Sequence, residues 1–258
     1  MSGSGRLAGR RLLVVGGGTQ HTDDPEAPPG NGRAVAVLAA REGAAVAISD
    51  IDLAAADETA ALVVAEGGDA YTLEVDVADA DACLAHVQVA AESLGGLDAL
   101  VLNVGVGRGR RLEGTSAADW DLAFAVNVRA HFLALKAALP LMGEGSSTVL
   151  VSSLAGLRPG TGIPSYDASK AAQIGLMRHA AREAAPGGRV NVVAPGLIDT
   201  PLGRLATAGR ASRGTTRIPL GRQGTAWEVA EAVVWLLSSQ SSYVTGQVLC
   251  VDGGLSTL

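Results

Sequence analysis

Short apolar runs, rich in Val, Ile, Leu and Ala, alternate along this chain with longer stretches in which polar residues return at helical spacing. The runs 11–16, 45–50, 71–76, 99–104, 148–153, 189–194 and 247–251 have strand length and little polar alternation, as strands buried on both faces do. The stretches 32–42, 54–66, 80–93, 117–139, 165–184 and 227–238 read as helices. Such alternation requires right-handed crossovers and puts helices on both faces of a parallel sheet. The fold class expected is therefore α/β: one doubly wound domain over residues 1–258 with a seven-stranded parallel sheet. Two segments interrupt the rhythm, an extended glycine-bearing loop over 17–30 and a long segment over 197–225. Each leaves the carboxyl end of a strand, where open α/β sheets bind their ligands.

The 258 residues are 48% hydrophobic and 18% charged, enough apolar content for a substantial core. That excludes a disordered chain, a collagen-like repeat and a disulfide-stapled miniprotein. A net charge of −6 argues against a nucleic-acid or anionic-membrane partner. Cys83 and Cys250 are too few and too far apart for a zinc site or disulfide framework, and read as small buried residues in a reducing compartment. None of the four histidines has metal-ligand spacing. No metal is expected, and His131 and His179 read as packing or surface residues. The apolar stretch before Gly16 is too short for a signal peptide, and no run approaches membrane-spanning length, so the expected location is cytoplasmic. Lysine is scarce: only Lys136 and Lys170 occur.

Gly16, Gly17 and Gly18 follow the first strand, and Gly30, Asn31 and Gly32 open the first helix. Glycines between strand and helix let backbone N–H groups approach a pyrophosphate at the positive helix end, although a flexible loop in a glycine-rich chain looks similar. Asp50 ends the second strand, where a carboxylate can accept bonds from adenosine ribose hydroxyls. Asp52 adds negative charge and no arginine follows Asp50 to meet a 2′-phosphate, which favours NAD over NADP. Helix capping is the competing role for either aspartate. Asp76 and Val77 either face the adenine or start a turn.

Ser152 and Ser153 end the fifth strand, and Tyr166 and Lys170 stand four apart on the following helix, sharing a face. An ammonium beside a phenol stabilises phenolate and brings the tyrosine toward acid/base work. Ser153 can donate to a carbonyl oxygen that gains charge during reduction. A surface tyrosine and lysine on an amphipathic helix is the bland alternative. Against it, one of only two lysines falls at this spacing, just after paired serines.

With these elements the sequence resembles the short-chain dehydrogenase/reductase family, single-domain branch, over nearly its whole length. Asn127 in Ala-Val-Asn-Val, the run Asn103-Val104-Gly105, the run Asn191 to Gly196, the segment Arg217 to Arg222 and the ending Val251-Asp252-Gly253-Gly254 carry the rest of the likeness. The resemblance implies a single Rossmann-like domain that transfers hydride between NAD(H) and a secondary alcohol or ketone. It implies a tetrad: Tyr166 as acid/base, Lys170 lowering its pKa and holding the nicotinamide ribose, Ser153 orienting the carbonyl, and Asn127 positioning a relay water. The cofactor set implied is Gly16, Gly18, Gly30, Asn31, Gly32, Asp50, Asp76, Val77, Asn103 and Gly105, with Tyr166 and Lys170. Pro195, Gly196, Ile198 and Thr200 would hold the carboxamide. Leu154, Ile163 and Leu197 are wall candidates for a small-molecule carbonyl or alcohol pocket, with 197–225 as its lid. A homotetramer or dimer is implied, with 117–139 and 165–184 at one interface. The four-residue Tyr–Lys separation points to C=O rather than C=C chemistry, because related enoyl reductases place the lysine farther away.

The chain departs from that pattern in three places. Residues 20–29 split the glycine loop; their acidic side chains cannot rest on a diphosphate, so Pro25, Pro28 and Pro29 are expected to stiffen an outward-directed loop. Val15 stands where threonine is usual, and Leu102-Asn103 where paired asparagines are usual. Between Pro201 and Arg222, Arg204, Arg210, Arg213, Arg217 and Arg222 crowd a carboxylate-free stretch, and Arg108, Arg110, Arg111 and Arg158 could approach the same cleft. They either attract an anionic substrate or form an ordinary solvated surface. A non-catalytic dinucleotide-binding or redox-sensing protein is the rival class; an intact serine, tyrosine, lysine and asparagine set argues against it. An epimerase or dehydratase of the extended branch, a second rival, generally carries a larger carboxyl-terminal domain.

Overall fold

The computed structural model describes residues 5–24, 26–208 and 216–257. Seven parallel strands form the main sheet in the order β3-β2-β1-β4-β5-β6-β9. They are β1 (Arg11–Val15), β2 (Ala45–Asp50), β3 (Ala70–Glu74), β4 (Leu97–Leu102), β5 (Met142–Val151), β6 (Gly188–Pro195) and β9 (Val248–Val251). A separate parallel pair, β7 (Ile198–Asp199) and β8 (Gly224–Thr225), lies in the long segment after β6. The helices are α1 (Asn31–Arg41), α2 (Leu53–Ala65), α3 (Ala80–Leu94), α4 (Ala117–Phe124), α5 (Ala130–Ala138), α6 (Pro164–Ala184), α7 (Pro201–Ala208) and α8 (Ala226–Leu237).

Side chains alternate across each strand and fill two cores. Leu12 and Val14 of β1, Val46 and Ile48 of β2, and Ala99 and Val101 of β4 pack on one face with α1 and α8. Leu13 and Val15, Ala47, and Leu100 and Leu102 pack on the other with α3, α5 and α6. Burial on both sides explains why β1, β2 and β4 read as unbroken apolar runs, while β3 is only partly buried.

The chain order reverses between β1 and β4, and the register aligns their ends: Val15 pairs with Ser49 and Leu102, and Leu102 with Leu150. Gly16, Asp50, Asn103 and Ser152 thus leave the sheet along one edge, at the crevice such a reversal creates.

Several expectations change. The third strand stops at Glu74, leaving Asp76 in the following turn. β5 begins at Met142 rather than residue 148, because Met142 pairs with Leu97 through backbone bonds that a polar Gly-Glu-Gly-Ser run does not announce. The fifth strand ends at Val151, before the paired serines. The expected single helix 117–139 is interrupted by a π turn, Ala125–Arg129, centred on Asn127. The helical stretch Ala117–Leu141 is long and apolar enough to cross a membrane by length and composition, contrary to the first reading, but half of its most apolar window is buried inside the protein. Cys83 is buried as expected, while Cys250 is only partly so.

The turn after β1 closes on a contact that admits no side chain. A Cβ on Gly32 would lie 1.9 Å from the Gly16 carbonyl oxygen and 2.7 Å from Asn103 Nδ2. Gly32→Ala is therefore expected to lower the free energy of unfolding by about 3 kcal/mol or more. Gly143→Ala, with nothing within 4 Å, is the control that should leave the denaturation midpoint nearly unchanged; equal effects would refute the contact's importance.

Candidate active site

The edge crevice encloses about 370 Å³ and runs from Asp50 and Asp76 at one end to Tyr166 and Lys170 at the other. Gly16, Gly18, Gly30, Asn31, Gly32, Val77, Asn103, Gly105 and Thr200 line it between these points. Of the residues the sequence assigns to a cofactor, only Pro195, Gly196 and Ile198 are outside the lining. Ile198 is instead buried in the β7–β8 pair.

At the acidic end Asp50 Oδ2 accepts from the Gly18 N–H at 2.9 Å and Oδ1 from the Asp52 N–H at 3.2 Å. The carboxylate therefore fixes the glycine turn, a role the sequence reading did not foresee. Asp52 caps α2, accepting from the Ala55 N–H. Asp76 does both things open to it: it accepts from the Ala78 N–H in a turn and lines the crevice.

The glycine turn is continuous in space although split in sequence. Gly16 takes φ 81°, a left-handed conformation. Asn103 Nδ2 donates to the Gly16 carbonyl at 2.7 Å, and the Gly30 N–H donates to Thr19 Oγ1 at 3.0 Å. The second bond closes the base of the insertion and brings Gly30 to the start of α1, which has no acidic residue in its first turn. Helix-end N–H groups with no competing carboxylate suit an anion. Asn31 Oδ1, buried in this stretch, has no hydrogen-bond partner among the described residues.

Within the insertion, residues 20–24 and Glu26 are exposed while Ala27, Pro28 and Pro29 are partly buried, and Asp24 is not free of the site's surroundings. Its carboxylate pairs with Arg204 on α7 at 2.9 Å, and Arg204 also grips Asp199 at 2.7 Å. Pro25 lies outside the described residues.

At the other end Lys170 is almost fully enclosed. Its Nζ donates to the Val151 carbonyl at 3.0 Å and stands 5.6 Å from the centre of the Tyr166 ring. Ser152 Oγ donates to the Lys170 carbonyl at 2.8 Å, locking helix α6 to the end of β5. Burial lowers the lysine pKa to about 7. Ser153 is partly exposed; its Oγ accepts from the Ala155 N–H at 3.1 Å, and its own proton has no acceptor among the described residues.

Asn127 is fully buried in the π turn. Its Oδ1 accepts from the Val106 N–H at 2.8 Å, and its Nδ2 donates to the Val106 carbonyl and to Ser169 Oγ, each at 2.8 Å. Its carbonyl accepts from Gln173 at 2.7 Å. Protein groups occupy its side chain, so Asn127 holds the loop after β4 against α6.

That loop runs along the tyrosine. A Cβ on Gly107 would lie 3.3 Å from Ile163 and 3.5 Å from Tyr166. Ser165 Oγ donates to the Arg108 carbonyl at 2.9 Å, and the Arg111 N–H donates to the Gly162 carbonyl at 2.8 Å. Ile163, Leu154 and Leu197 are partly buried but do not line the crevice. The arginine-rich lid is less positive than its sequence implies, because Arg204 pairs with Asp199 and Asp24, and Arg222 with Glu228 at 2.7 Å. Arg158 donates to the Leu255 carbonyl. Arg210 and Arg213 lie outside the described residues. Arg108, Arg110 and Arg111 have no carboxylate partner within ion-pair distance among the described residues.

A family model described as enoyl-(acyl carrier protein) reductase matches residues 28–256. The chain is 37% identical over 267 residues to 2-(S)-hydroxypropyl-CoM dehydrogenase 3 of Xanthobacter autotrophicus, covering 99% of this chain and 100% of that one. It is 36% identical over 253 residues to the 3-oxoacyl-(acyl-carrier-protein) reductase FabG of Thermotoga maritima, covering 97% and 99%. A short chain dehydrogenase from Burkholderia cenocepacia, solved in complex with NADP, superposes with a TM-score of 0.85 at 36% identity, covering 96% of this chain and 98% of that chain.

The buried lysine has a measurable signature. Its folded pKa of about 7 lies below the ordinary value of 10.5. The unfolded chain thus holds more protons between those values, and the cost of enclosing the cation, full below the lower one, is relieved as pH rises through the window. Lys170→Met should stabilise the protein relative to wild type near pH 7 by about 4 °C or more beyond its effect near pH 10. A difference independent of pH would contradict the assigned burial.

Proposed function

Because this chain belongs to the short-chain dehydrogenase/reductase family of oxidoreductases, we propose that it interconverts a secondary alcohol and a ketone with NAD(H), using Tyr166 as acid/base. The observation that carries this reading is the single crevice joining a buried lysine and its tyrosine to a carboxylate-anchored glycine turn. The residues fit a nicotinamide dinucleotide: the α1 end offers N–H groups without competing carboxylates, Asn31 Oδ1 lacks a partner, and side chains on Gly16 and Gly18 would collide with Val104 and Asp50. Gly16, Gly18, Gly30, Asn31 and Gly32 would hold its diphosphate, Asp50 its adenosine ribose, and Thr200 its carboxamide end. When bound, that group supplies or accepts the hydride.

The chain's own residues handle the proton. In reduction, Tyr166 gives its phenolic proton to the substrate oxygen; in oxidation it takes the alcohol proton. Lys170, where cationic, favours the phenolate form of Tyr166. Ser153 directs its unclaimed O–H at the substrate oxygen and stabilises charge developing there. Asn127, through Val106 and Ser169, keeps the loop beside Tyr166 in place.

Asp50 supports NAD over NADP. Asp50, Asp52 and Asp76 line that end of the crevice with no arginine, so a 2′-phosphate would meet negative charge with no compensating cation. The NADP complex of the Burkholderia relative is the competing case. The four-residue Tyr–Lys spacing, and relatives named as a hydroxypropyl dehydrogenase and an oxoacyl reductase, favour C=O over the C=C chemistry in the family model's description. The loop carrying Arg108, Arg110 and Arg111 supports an anionic substrate, since it is stapled beside Tyr166 by Ser165 and Gly162. Exposed Trp120 and Leu122 on α4 and Phe132 on α5 favour burial against a second copy in a dimer or tetramer.

Tyr166→Phe should lose turnover by about 10²-fold or more while keeping NADH binding, read by nicotinamide fluorescence. Retained turnover would overturn the assignment, and a wild type that binds NADH but turns over no ketone would favour the sensing protein. Paired ketones differing only in a carboxylate, assayed with NADH and NADPH, should give higher kcat/KM for the ionised member and for NADH. Preference for the neutral member, or for NADPH, would remove the corresponding part of the proposal.

A further inference from the structure

Helix α6 buries one polar side chain that none of these steps uses. Gln173 is 0% exposed, as is His131 on α5. Gln173 Nε2 donates to the Asn127 carbonyl at 2.7 Å and lies 3.0 Å from His131 Nδ1. The amide orientation is not arbitrary, because an amide oxygen in that place would face the Asn127 carbonyl oxygen, acceptor against acceptor. With the nitrogen there, His131 Nδ1 must accept. The imidazole proton then sits on Nε2, 3.3 Å from the Val104 carbonyl, to which it donates.

Two separate side chains therefore grip the chain on either side of Gly105: His131 holds Val104, and Asn127 holds Val106. Gly105 is the close-approach point, since a Cβ there would lie 3.0 Å from Lys170 Nζ. Gln173 touches both grips and is the only side chain among the described residues that the hydrogen bonds place on both.

We propose that Gln173 and His131 are positioning residues for the catalytic lysine: the pair fixes the Val104–Val106 segment and so sets the wall against which Lys170 Nζ rests. Calling the lysine catalytic rests on the proposed dehydrogenase reading; the geometry of the wall does not. Losing the Gln173 amide leaves the Asn127 carbonyl and His131 Nδ1 buried without partners, and His131 is then free to move its proton to Nδ1 and release Val104. The titratable side chains facing Lys170 are Tyr166 on its own helix and His131 on α5. Burial and the nearby ammonium both keep that imidazole neutral.

Because the chain has only Lys136, exposed, and Lys170, buried, lysine labelled with 13C at Cε should give two assignable signals. In the wild type, 15N spectra of His131 should report the neutral Nε2–H form, and the Lys170 signal should titrate well below that of Lys136. Gln173→Leu and His131→Leu, each checked for folding by circular dichroism, should both move the Lys170 titration toward that of Lys136 by half a unit or more. The double variant should move it no farther than either alone, as for a pair acting as one unit. On a ketone substrate each single variant should lower kcat about tenfold with KM for NADH within twofold. A Lys170 titration unchanged in both folded variants, an Nδ1–H wild-type tautomer, or additive effects would overturn the proposal. A wild type without ketone turnover, but with the expected spectra, would overturn the dehydrogenase reading and leave the wall standing.

Discussion

One enclosed ammonium governs the architecture of this edge of the sheet. Among the described residues Lys170 Nζ has a single hydrogen-bond partner, the Val151 carbonyl, and no carboxylate within ion-pair distance. A lone buried cation is costly, and everything near it is arranged around that fact. Ser152 ties the lysine's own carbonyl to the strand end, Gly105 withholds a side chain to make room, and Asn127 holds the adjacent loop. The reward is electrostatic: a cation whose field is poorly screened acts strongly on the neighbouring phenol.

Much of this was legible in the amino-acid order. The strand runs were plain because burial on both faces leaves no polar interruption, and Tyr166, Lys170 and Ser153 were visible because their chemistry depends on spacing within one helix and one strand end. What stayed hidden was pairing at long sequence separation. Nothing in the order indicates that Asn127 spends its side chain on Val106 and Ser169, or that Gln173 reaches back to His131, because each bond is set by how α5 and α6 pack. The π turn was equally invisible: the same apolar periodicity runs through 117–139 whether or not one turn is widened.

The charge of the lid differs most between the amino-acid order and the fold. The stretch from Pro201 to Arg222 has no carboxylate and looked strongly positive in the sequence, yet Arg204 and Arg222 find Asp24, Asp199 and Glu228 outside that stretch. Counting signs along a segment misses partners supplied by other loops. The arginines without an ion pair among the described residues include Arg108, Arg110 and Arg111, whose backbone is anchored to the tyrosine helix and the residues just before it.

The bond between Thr19 and Gly30 has a consequence for how this protein could change over generations. Its two ends meet across the insertion, so a change in the length of the intervening segment costs little closure entropy, and the Asp24–Arg204 pair is the contact such a change would touch. Doubling such a loop costs only about 0.6 kcal/mol in closure entropy. Insertions, deletions and grafted recognition sequences can therefore be sampled here without disturbing the adjoining turn. A position usually regarded as among the least tolerant in a nucleotide-binding sheet becomes, in this chain, a port for molecular novelty.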